Sequence, residues 1–195
     1  MRPPTMADLE AQARAAADTG NLPELERLER AIDNLDHPGP TPALLPSALW
    51  YASQGIPVFP LQPGQKIPLP RTHGCLDATI DEALIRAWWA ATPTANIGIA
   101  TGHVLDVIDI DGPAGRDSWR DEVAARGLVP PILGTVDTPR GTHHYITPTG
   151  DGNAAGIWPG VDFRGAGGYV VAPPSTVGGH AYRWITPIEV PHGLG

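Results

Sequence analysis

The chain has 195 residues, of which 42% are hydrophobic, and its formal net charge at pH 7 is −8. No apolar run approaches the roughly 20 residues that cross a bilayer, and the first residues lack an apolar signal core, so we expect neither a membrane span nor export. The single cysteine, Cys75, excludes an internal disulfide and a multi-cysteine zinc site, and it suits a reducing cytoplasm. The acidic balance argues against tight, sequence-independent binding of nucleic acid by this chain alone, but not against nucleotide binding.

The first 40 residues form a segment of their own with a net charge of −4, so the remaining 155 residues carry −4 as well. Apolar spacing predicts two amphipathic helices in this segment, near Met6–Ala17 and Leu22–Leu35. The apolar stripe of the second helix consists of Leu25, Leu28, Ile32 and Leu35. A run rich in proline and glycine then predicts a linker. We therefore expect a helical extension with a linker over residues 1–40 and a second domain over residues 41–195.

Beyond residue 40, helices alternate with many short strands, which is typical of an α+β or mixed-sheet domain. The capping-box spacing from Thr79 to Glu82 predicts the start of a helix, with an inner face of Ile80, Leu84 and Trp88. Apolar periodicity and turn residues give the other elements. We expect helices over Ala43–Gln54 and Arg116–Arg126, and strands over Val58–Leu61, Ile97–Ala100, Val104–Asp111, Ile132–Val136, His143–Thr147, Phe163–Arg164 and Tyr169–Ala172.

The strand that ends in Asp109-Ile110-Asp111 is the most informative stretch. Side chains alternate along a strand, so the two aspartates share one face, while Ile108 and Ile110 face the core on the other. Adjacent carboxylates resist desolvation unless a cation lies between them, and oxygen ligands suit Mg²⁺ or Mn²⁺. Asp106 has the opposite parity, and we expect it to face solvent or to cap a turn. Taken alone, the pattern also fits a surface strand with incidental acids, but the flanking β-branched residues favour a buried strand.

The segment Asp137–Ile146 predicts a tight turn that enters a strand. The hydroxyl of Thr142 and one histidine could contact a phosphate here. His143 and His144 point to opposite faces of the strand, so only one of them can face the acidic residues. Spacing alone favours the simpler interpretation, in which both are ordinary polar residues.

A third segment, Gly160–Ser175, combines an acid, a base and a glycine-rich turn. Asp162 and Arg164 share a face if the chain is extended, so one could complete a metal site while the other pairs with a phosphate. They could equally form a cross-strand ion pair beside a turn.

Three motifs thus follow one another in the order DID at 109–111, TPRGTHHY at 138–145 and GVDFRGAGGYVVAPPS at 160–175. Together they resemble the N-terminal domain of bifunctional DNA primase-polymerases of the archaeo-eukaryotic primase superfamily, found in plasmids, phages and mobile elements. The resemblance covers about residues 45–185. Shorter segments that agree with it are Lys66-Ile67-Pro68, His73-Gly74, Asp77-Ala78-Thr79, Trp88-Trp89 and Pro93–Ile99.

The resemblance implies an α+β fold with a small α/β N-terminal unit and an RRM-like sheet, and it makes residues 41–195 a catalytic domain. It identifies Asp109, Asp111 and Asp162 as catalytic acids that bind two divalent cations, Mg²⁺ or Mn²⁺, with no zinc. The family histidine falls on His144, which would contact the triphosphate of the incoming nucleotide. Because Thr142-His143 departs from the small residues usual before that histidine, His143 is the other candidate.

Arg164 matches a phosphate ligand of the family, and Arg140 and Thr142 are further candidates for nucleotide or phosphate binding. Lys66 and His73 match family positions to which we assign no role. Some relatives carry a zinc-binding stem, which one cysteine cannot build.

The implied activity is template-directed nucleotidyl transfer from dNTPs or NTPs on single-stranded DNA, in a bacterial or phage-infected cell. A helicase domain or another replication partner would supply tight DNA binding. Two alternatives belong to other classes. One is a catalytically silent nucleotide- or DNA-binding module of a replication initiator, and the other is a metal-dependent phosphohydrolase or nuclease that uses the same acids.

Overall fold

The computed structural model describes residues 6–22, 24–26, 28–29, 32, 44–126 and 130–189. The chain divides into two compact units, Met1–Pro42 and Ala43–Gly195. The helices are α1 (Met6–Asp18), α2 (Leu44–Ser53), α3 (Glu82–Ala91) and α4 (Gly112–Arg126), with a 3-10 helix at Gly74–Asp77. The strands are β1 (Val58–Leu61), β2 (Asn96–Ala100), β3 (Asp106–Asp111), β4 (Ile132–Asp137), β5 (Gly141–Ile146), β6 (Ala154–Trp158), β7 (Val161–Arg164), β8 (Tyr169–Ala172), β9 (Thr176–Val177), β10 (His180–Ala181) and β11 (Arg183–Thr186).

The first unit is helical where it is described. Leu9, Ala13 and Ala16 follow one another at helical spacing on α1 and are buried with Leu28. Leu25 and Ile32 pack against this cluster, as the predicted stripe requires. Leu35 and the predicted linker lie outside the described residues, and the domain boundary at residue 40 stays a prediction.

The second unit contains two principal antiparallel sheets and a short hairpin of β9 and β10. One sheet has three strands in the order β1-β2-β8, and the other has six in the order β11-β4-β5-β3-β7-β6. In the larger sheet, four strands and one helix follow one another along the chain as β3-α4-β4-β5-β7, and the four strands lie side by side in the order β4-β5-β3-β7. This is the strand order of an RRM-like sheet, with α4 as the one helix among the described residues between these strands. Of the residues that the structure describes, 35% are helical and 32% lie in strands, so the α+β class and the pairing of a small α/β unit with a larger sheet are confirmed.

The two sheets share one hydrophobic core. It includes Ile97 and Ile99 from β2, Val107 from β3 and Tyr145 from β5, all of them completely buried. The opposite face of the six-stranded sheet packs against α4. A second hydrophobic cluster lies there, in which Trp119 of α4 packs against the strand residues Ile108, Ile110, Ile146 and Val161. The prediction that Ile108 and Ile110 face a hydrophobic core is therefore confirmed. None of the helices in the described ranges has the length and apolarity needed to cross a membrane.

Two local predictions were wrong. The first concerns the inner face of α3: Ile80 and Leu84 are exposed, and the buried residues are Ile85 and Trp89. The carboxylate of Asp81 accepts the amides of Ala83 and Leu84, so the helix starts two residues after the predicted Thr79 cap and Ile80 lies outside it. The stripe of the helix that packs into the core is the neighbouring one, with Ile85 and Trp89.

The prediction for Asp106 was wrong on exposure but right on capping. Asp106 is completely buried rather than facing solvent, and its Oδ2 caps the loop after β5 by accepting hydrogen bonds from the amide and hydroxyl of Thr149 at 2.7 and 2.9 Å. The second wrong prediction is the start of α4. The α4 helix begins at Gly112 rather than at Arg116, since Pro113 suits the first turn of a helix.

The end of the third motif is structural. Ser175 is completely buried, its hydroxyl accepts the amide of Ile97 at 2.8 Å, and its carbonyl accepts the amide of Tyr182 at 2.8 Å. The end of the motif thus ties the residues that follow β8 to β2, and it positions Tyr182 just before β11.

Two buried tyrosines provide a test of this core. The Tyr51 hydroxyl donates to the carbonyl of Pro173 at 2.8 Å, whereas the Tyr145 hydroxyl is buried with no hydrogen-bond partner in the described part of the chain. Tyr51→Phe should lower the free energy of unfolding by about 1–2 kcal/mol because it leaves a buried carbonyl unpaired. Tyr145→Phe should leave it unchanged or raise it. Urea unfolding measures both, and an equal loss in the two variants would contradict the assignment.

Candidate active site

The register of three neighbouring strands assembles the site. Asp109 on β3 lies directly opposite His143 on β5 and directly opposite Asp162 on β7. Directly paired residues project to the same face of a sheet, with their Cβ atoms about 5 Å apart. Asp111 lies two residues further along β3 and therefore on that face as well. The structure thus brings the three predicted aspartates together, although Asp162 is 53 positions from Asp109 in the chain.

Two arginines pair with these three carboxylates and offset part of their charge. The Nη2 of Arg164 lies 2.5 Å from Asp162 Oδ2 and 3.5 Å from Asp109 Oδ2. Arg140, in the turn between β4 and β5, pairs with Asp111. The second oxygen of Asp162, Oδ1, accepts the amide of Gly156 at 2.7 Å. In this state the predicted phosphate ligands Arg140 and Arg164 are bound to carboxylates.

The two histidines lie on opposite faces, and the structure shows which one faces the acids. His143 Nε2 is 3.4 Å from Asp109 Oδ1, and His143 is only 5% exposed. His144 faces α4 instead: its Nδ1 lies 3.2 Å from the hydroxyl of Thr135, and its ring is 5.6 Å from the ring of Trp119. The reason is the register, which pairs His144 with the core residue Ile108.

Thr142 has the same parity as His144. It lies opposite Ile110 in the sheet, so its side chain belongs to the face covered by α4. Of the seven residues proposed from the sequence, the structure therefore brings five to one face and leaves His144 and Thr142 on the other.

The charges around Asp109 act strongly on it. Burial alone would raise the pKa of the Asp109 carboxyl, but the hydrogen bond and positive charge of His143 and the charges of Arg164 and Lys66 outweigh burial and hold the pKa below its usual value. Burial first, and then the negative charges of Asp109 and Asp111, raise the pKa of Tyr182 far above its ordinary value. The site thus places an ionised Asp109 carboxylate near an un-ionised Tyr182 phenol.

A cleft between the two sheets opens onto Asp109, whereas Asp111 and Asp162 are not among the residues that line it. Its walls include Asp109, His143 and Arg164 from the six-stranded sheet, Tyr169 from β8 and Lys66 from the loop after β1. The glycine-rich turn before β8 also lines it. A Cβ on Gly168 would lie 2.4 Å from Asn153 Oδ1 and 2.9 Å from Thr101 Oγ1, so a larger residue would have to displace the buried Thr101 hydroxyl from its hydrogen bond to the carbonyl of Gly165.

Sequence reasoning did not place three of the residues that line the cleft. Lys66 lies in a matched segment, yet nothing in its neighbours indicated that it would reach the acids. Asn153 and Tyr182 belong to none of the three motifs, and only the fold brings them to the cleft. No signal in the sequence would have found these two.

The carboxylates have the chemistry of a site for a divalent cation. In the described ranges, no group of three or more His, Cys, Asp or Glu side chains is arranged to hold a metal ion, and Asp111 and Asp162 pair with Arg140 and Arg164 instead. The donors nevertheless fit: three carboxylates lie on one sheet face, two of them directly opposite each other on adjacent strands. Hard oxygen ligands of this kind suit Mg²⁺ or Mn²⁺.

A family model described as "Bifunctional DNA primase/polymerase, N-terminal" matches residues 48–193, about three quarters of the chain. This range contains both sheets, all three motifs and every residue of the cleft. No curated protein matches the chain.

The position of His144 predicts its titration. Burial, and then the positive charge of His143, lower the pKa of His144 below the ordinary value of about 6.5. At a pH below about 6.5, the unfolded chain binds a proton at His144 more readily than the folded chain does. His144 should therefore lower the free energy of unfolding as the pH falls from about 6.5 toward the folded-state pKa, and it should not affect that free energy above pH 6.5. NMR titration of the His144 ring should give a midpoint below 6.5, and His144→Gln should remove this part of the pH dependence. A midpoint at or above 6.5 would place His144 in a different environment.

Proposed function

Because the chain belongs to the family of bifunctional DNA primase/polymerase N-terminal domains, we propose that it catalyses template-directed nucleotidyl transfer from dNTPs or NTPs in the cleft around Asp109. One observation carries this proposal: Asp109, Asp111 and Asp162 share one face of the six-stranded sheet, with Asp109 directly opposite Asp162. In the reaction, the 3′-oxygen of a primer or first nucleotide bonds to the α-phosphorus, and the bond to the β-phosphate breaks to release pyrophosphate.

The three aspartates would hold Mg²⁺ or Mn²⁺. Bound there, a divalent cation would activate the 3′-hydroxyl and stabilise the negative charge that develops on the pyrophosphate. Without a cation, three carboxylates on one face repel one another, and the arginine pairs relieve that repulsion. The ion pairs therefore support the interpretation that this face is built to hold positive charge.

Arg140 and Arg164 would bind the phosphates. A guanidinium presents parallel N–H donors that match two phosphate oxygens. Both arginines lie at the cleft, and Arg140 is largely exposed, so each can exchange a carboxylate for a phosphate once a cation neutralises the aspartates. They would orient the triphosphate and stabilise the charge that develops during transfer.

We assign the nucleotide-contacting histidine to His143, in place of His144. His143 faces the acids and lines the cleft, whereas His144 packs against α4. The Tyr182 ring lies 5.8 Å from the His143 ring and restricts its orientation. His143 is thus held where an imidazole N–H can donate to a phosphate oxygen.

DNA would be held with help from outside this chain. With a net charge of −8, the chain has no cationic excess to bind a phosphate backbone tightly. We therefore expect a helicase domain or replication partner to retain the single-stranded template. The family resemblance supports a setting in plasmid, phage or mobile-element replication in the cytoplasm of a bacterial or phage-infected cell.

The central experiment incubates the protein with a primed and an unprimed single-stranded template, dNTPs and Mg²⁺ or Mn²⁺. Asp109→Asn, Asp111→Asn and Asp162→Asn should each reduce strand synthesis by about 100-fold or more, since each removes a charge that acts on the transferred phosphate. Asp117→Asn is the matched control, because Asp117 is an exposed acid on α4 that pairs with Arg120.

Three outcomes would contradict the proposal. Strand synthesis at the wild-type rate in the three aspartate variants would show that these aspartates do not form the active site. Binding of dNTP without any synthesis would indicate a silent nucleotide-binding module of a replication initiator. Shortening of the primer without added nucleotides would indicate a nuclease.

The histidine assignment has its own test. His143→Ala should weaken dNTP binding by about tenfold, the usual effect of losing one hydrogen bond to a charged group. His144→Gln should change it by less than about twofold, because this side chain lies on the other face of the sheet. Equilibrium binding of a fluorescent dNTP analogue measures both, and the opposite ranking would restore His144 as the ligand.

A further inference from the structure

Lys66 is the only lysine in the chain, which otherwise relies on twelve arginines for its positive side chains. It lies in the loop between β1 and the 3-10 helix, on the side of the three-stranded sheet. Its side chain is exposed, but it lines the cleft together with Asp109 and Arg164 from the other sheet. The lysine therefore approaches the acidic cluster from the opposite wall.

The loop around Lys66 is fixed at three successive carbonyl groups. The buried side chain of Asn96 donates to the carbonyl of Gln65 at 2.9 Å, and the amide of Gly178 donates to the carbonyl of Gly64 at 3.2 Å. The hydroxyl of Tyr169 donates to the carbonyl of Lys66 itself at 3.1 Å. Because three different parts of the fold hold this backbone, the root of the Lys66 side chain has a defined position beside the cleft.

The ammonium group has no counterion within the described residues. Arg140 and Arg164, the two other strong cations of the cleft, each pair with carboxylates. Lys66 lies within 4 Å of no described carboxylate, yet it is near enough for its charge to contribute to the low pKa of Asp109. A cation held beside a cleft and left unpaired creates a local positive potential that favours an anion.

We propose that Lys66 binds the triphosphate of the incoming nucleotide from the wall opposite Arg140 and Arg164. The inference rests on the proposed function and adds to it a contact between the small α/β part and the substrate. A lysine suits this position because its compact charge on a flexible stem can follow a phosphate chain. Phosphate groups also occur in the DNA backbone, so the test must separate the nucleotide from the template.

The first test compares dATP, deoxyadenosine and a single-stranded oligonucleotide as ligands of the wild-type protein and its variants, in the presence of Mg²⁺. Lys66→Met should weaken dATP binding by about tenfold and leave deoxyadenosine and oligonucleotide binding unchanged. Lys66→Arg should keep dATP affinity within about threefold of the wild-type value. Arg86→Met is the control, since it removes an exposed positive charge from α3, where Arg86 pairs with Glu82.

The single lysine permits a second test that needs no substitution. Reductive methylation with ¹³C-formaldehyde labels only Lys66 and the terminal amine, so each gives its own NMR signal. Addition of dATP with Mg²⁺ should shift the Lys66 signal in a saturable manner and leave the terminal signal in place. The oligonucleotide should move neither signal.

The inference is overturned if Lys66→Met binds dATP normally, if the labelled Lys66 signal does not respond to saturating dATP, or if only oligonucleotide binding declines in Lys66→Met. These results leave the proposed function intact as long as the wild-type protein synthesises DNA. Conversely, a protein that binds dATP through Lys66 but makes no DNA would refute the proposed function and keep the Lys66 contact. A wild-type protein that does not bind dATP would refute both.

Discussion

The site depends on the register of β3 with its two neighbours. Asp109 acts together with His143 and Asp162 because the three residues are directly paired across three strands. A slip of one residue would turn Asp109 toward the apolar face and expose Ile108 or Ile110 to the cleft. The packing of those isoleucines against α4 opposes such a slip, so the hydrophobic face of the sheet fixes the position of the chemistry on the other.

The electrostatics of the cleft follow from this arrangement. Three carboxylates on one face would destabilise the fold if they were left alone, and the cations around them come from separate parts of the chain. Arg164 is supplied by β7, Arg140 by the turn before β5, and Lys66 by the loop after β1. Under the proposed function, Arg140 and Arg164 would exchange their carboxylate partners for phosphate oxygens. Lys66 pairs with no carboxylate in the described residues, so it would bind a phosphate without such an exchange.

Much of the fold and of the candidate site could be predicted from local sequence patterns, and the predictions that were wrong or missing have physical causes. Alternation along one strand placed Asp109 and Asp111 together and Ile108 in the core, because that rule needs no knowledge of neighbouring strands. It also showed that His143 and His144 diverge, but only the pairing of β3 with β5 determines which of them meets the acids. The inner face of α3 was misplaced because Ile80 precedes the helix that Asp81 caps, and because the neighbouring stripe of Ile85 and Trp89 packs into the core. The position of Lys66 depends on two hydrogen bonds, from Asn96 to Gln65 and from Tyr169 to Lys66, which span 31 and 103 positions of the chain and which no local pattern reports.

The pairing of Asp109 with Asp162 can be measured directly by cross-linking. In a Cys75→Ser background, the double variant Asp109→Cys with Asp162→Cys should form a disulfide under mild oxidation, because directly opposite residues place their Cβ atoms close to the separation that a disulfide spans. The shifted pair, Asp109→Cys with Val161→Cys, should not form one, since the side chains of Asp109 and Val161 point to opposite faces. Rapid cross-linking of the shifted pair with none in the matched pair would contradict the register and, with it, the convergence of the three aspartates.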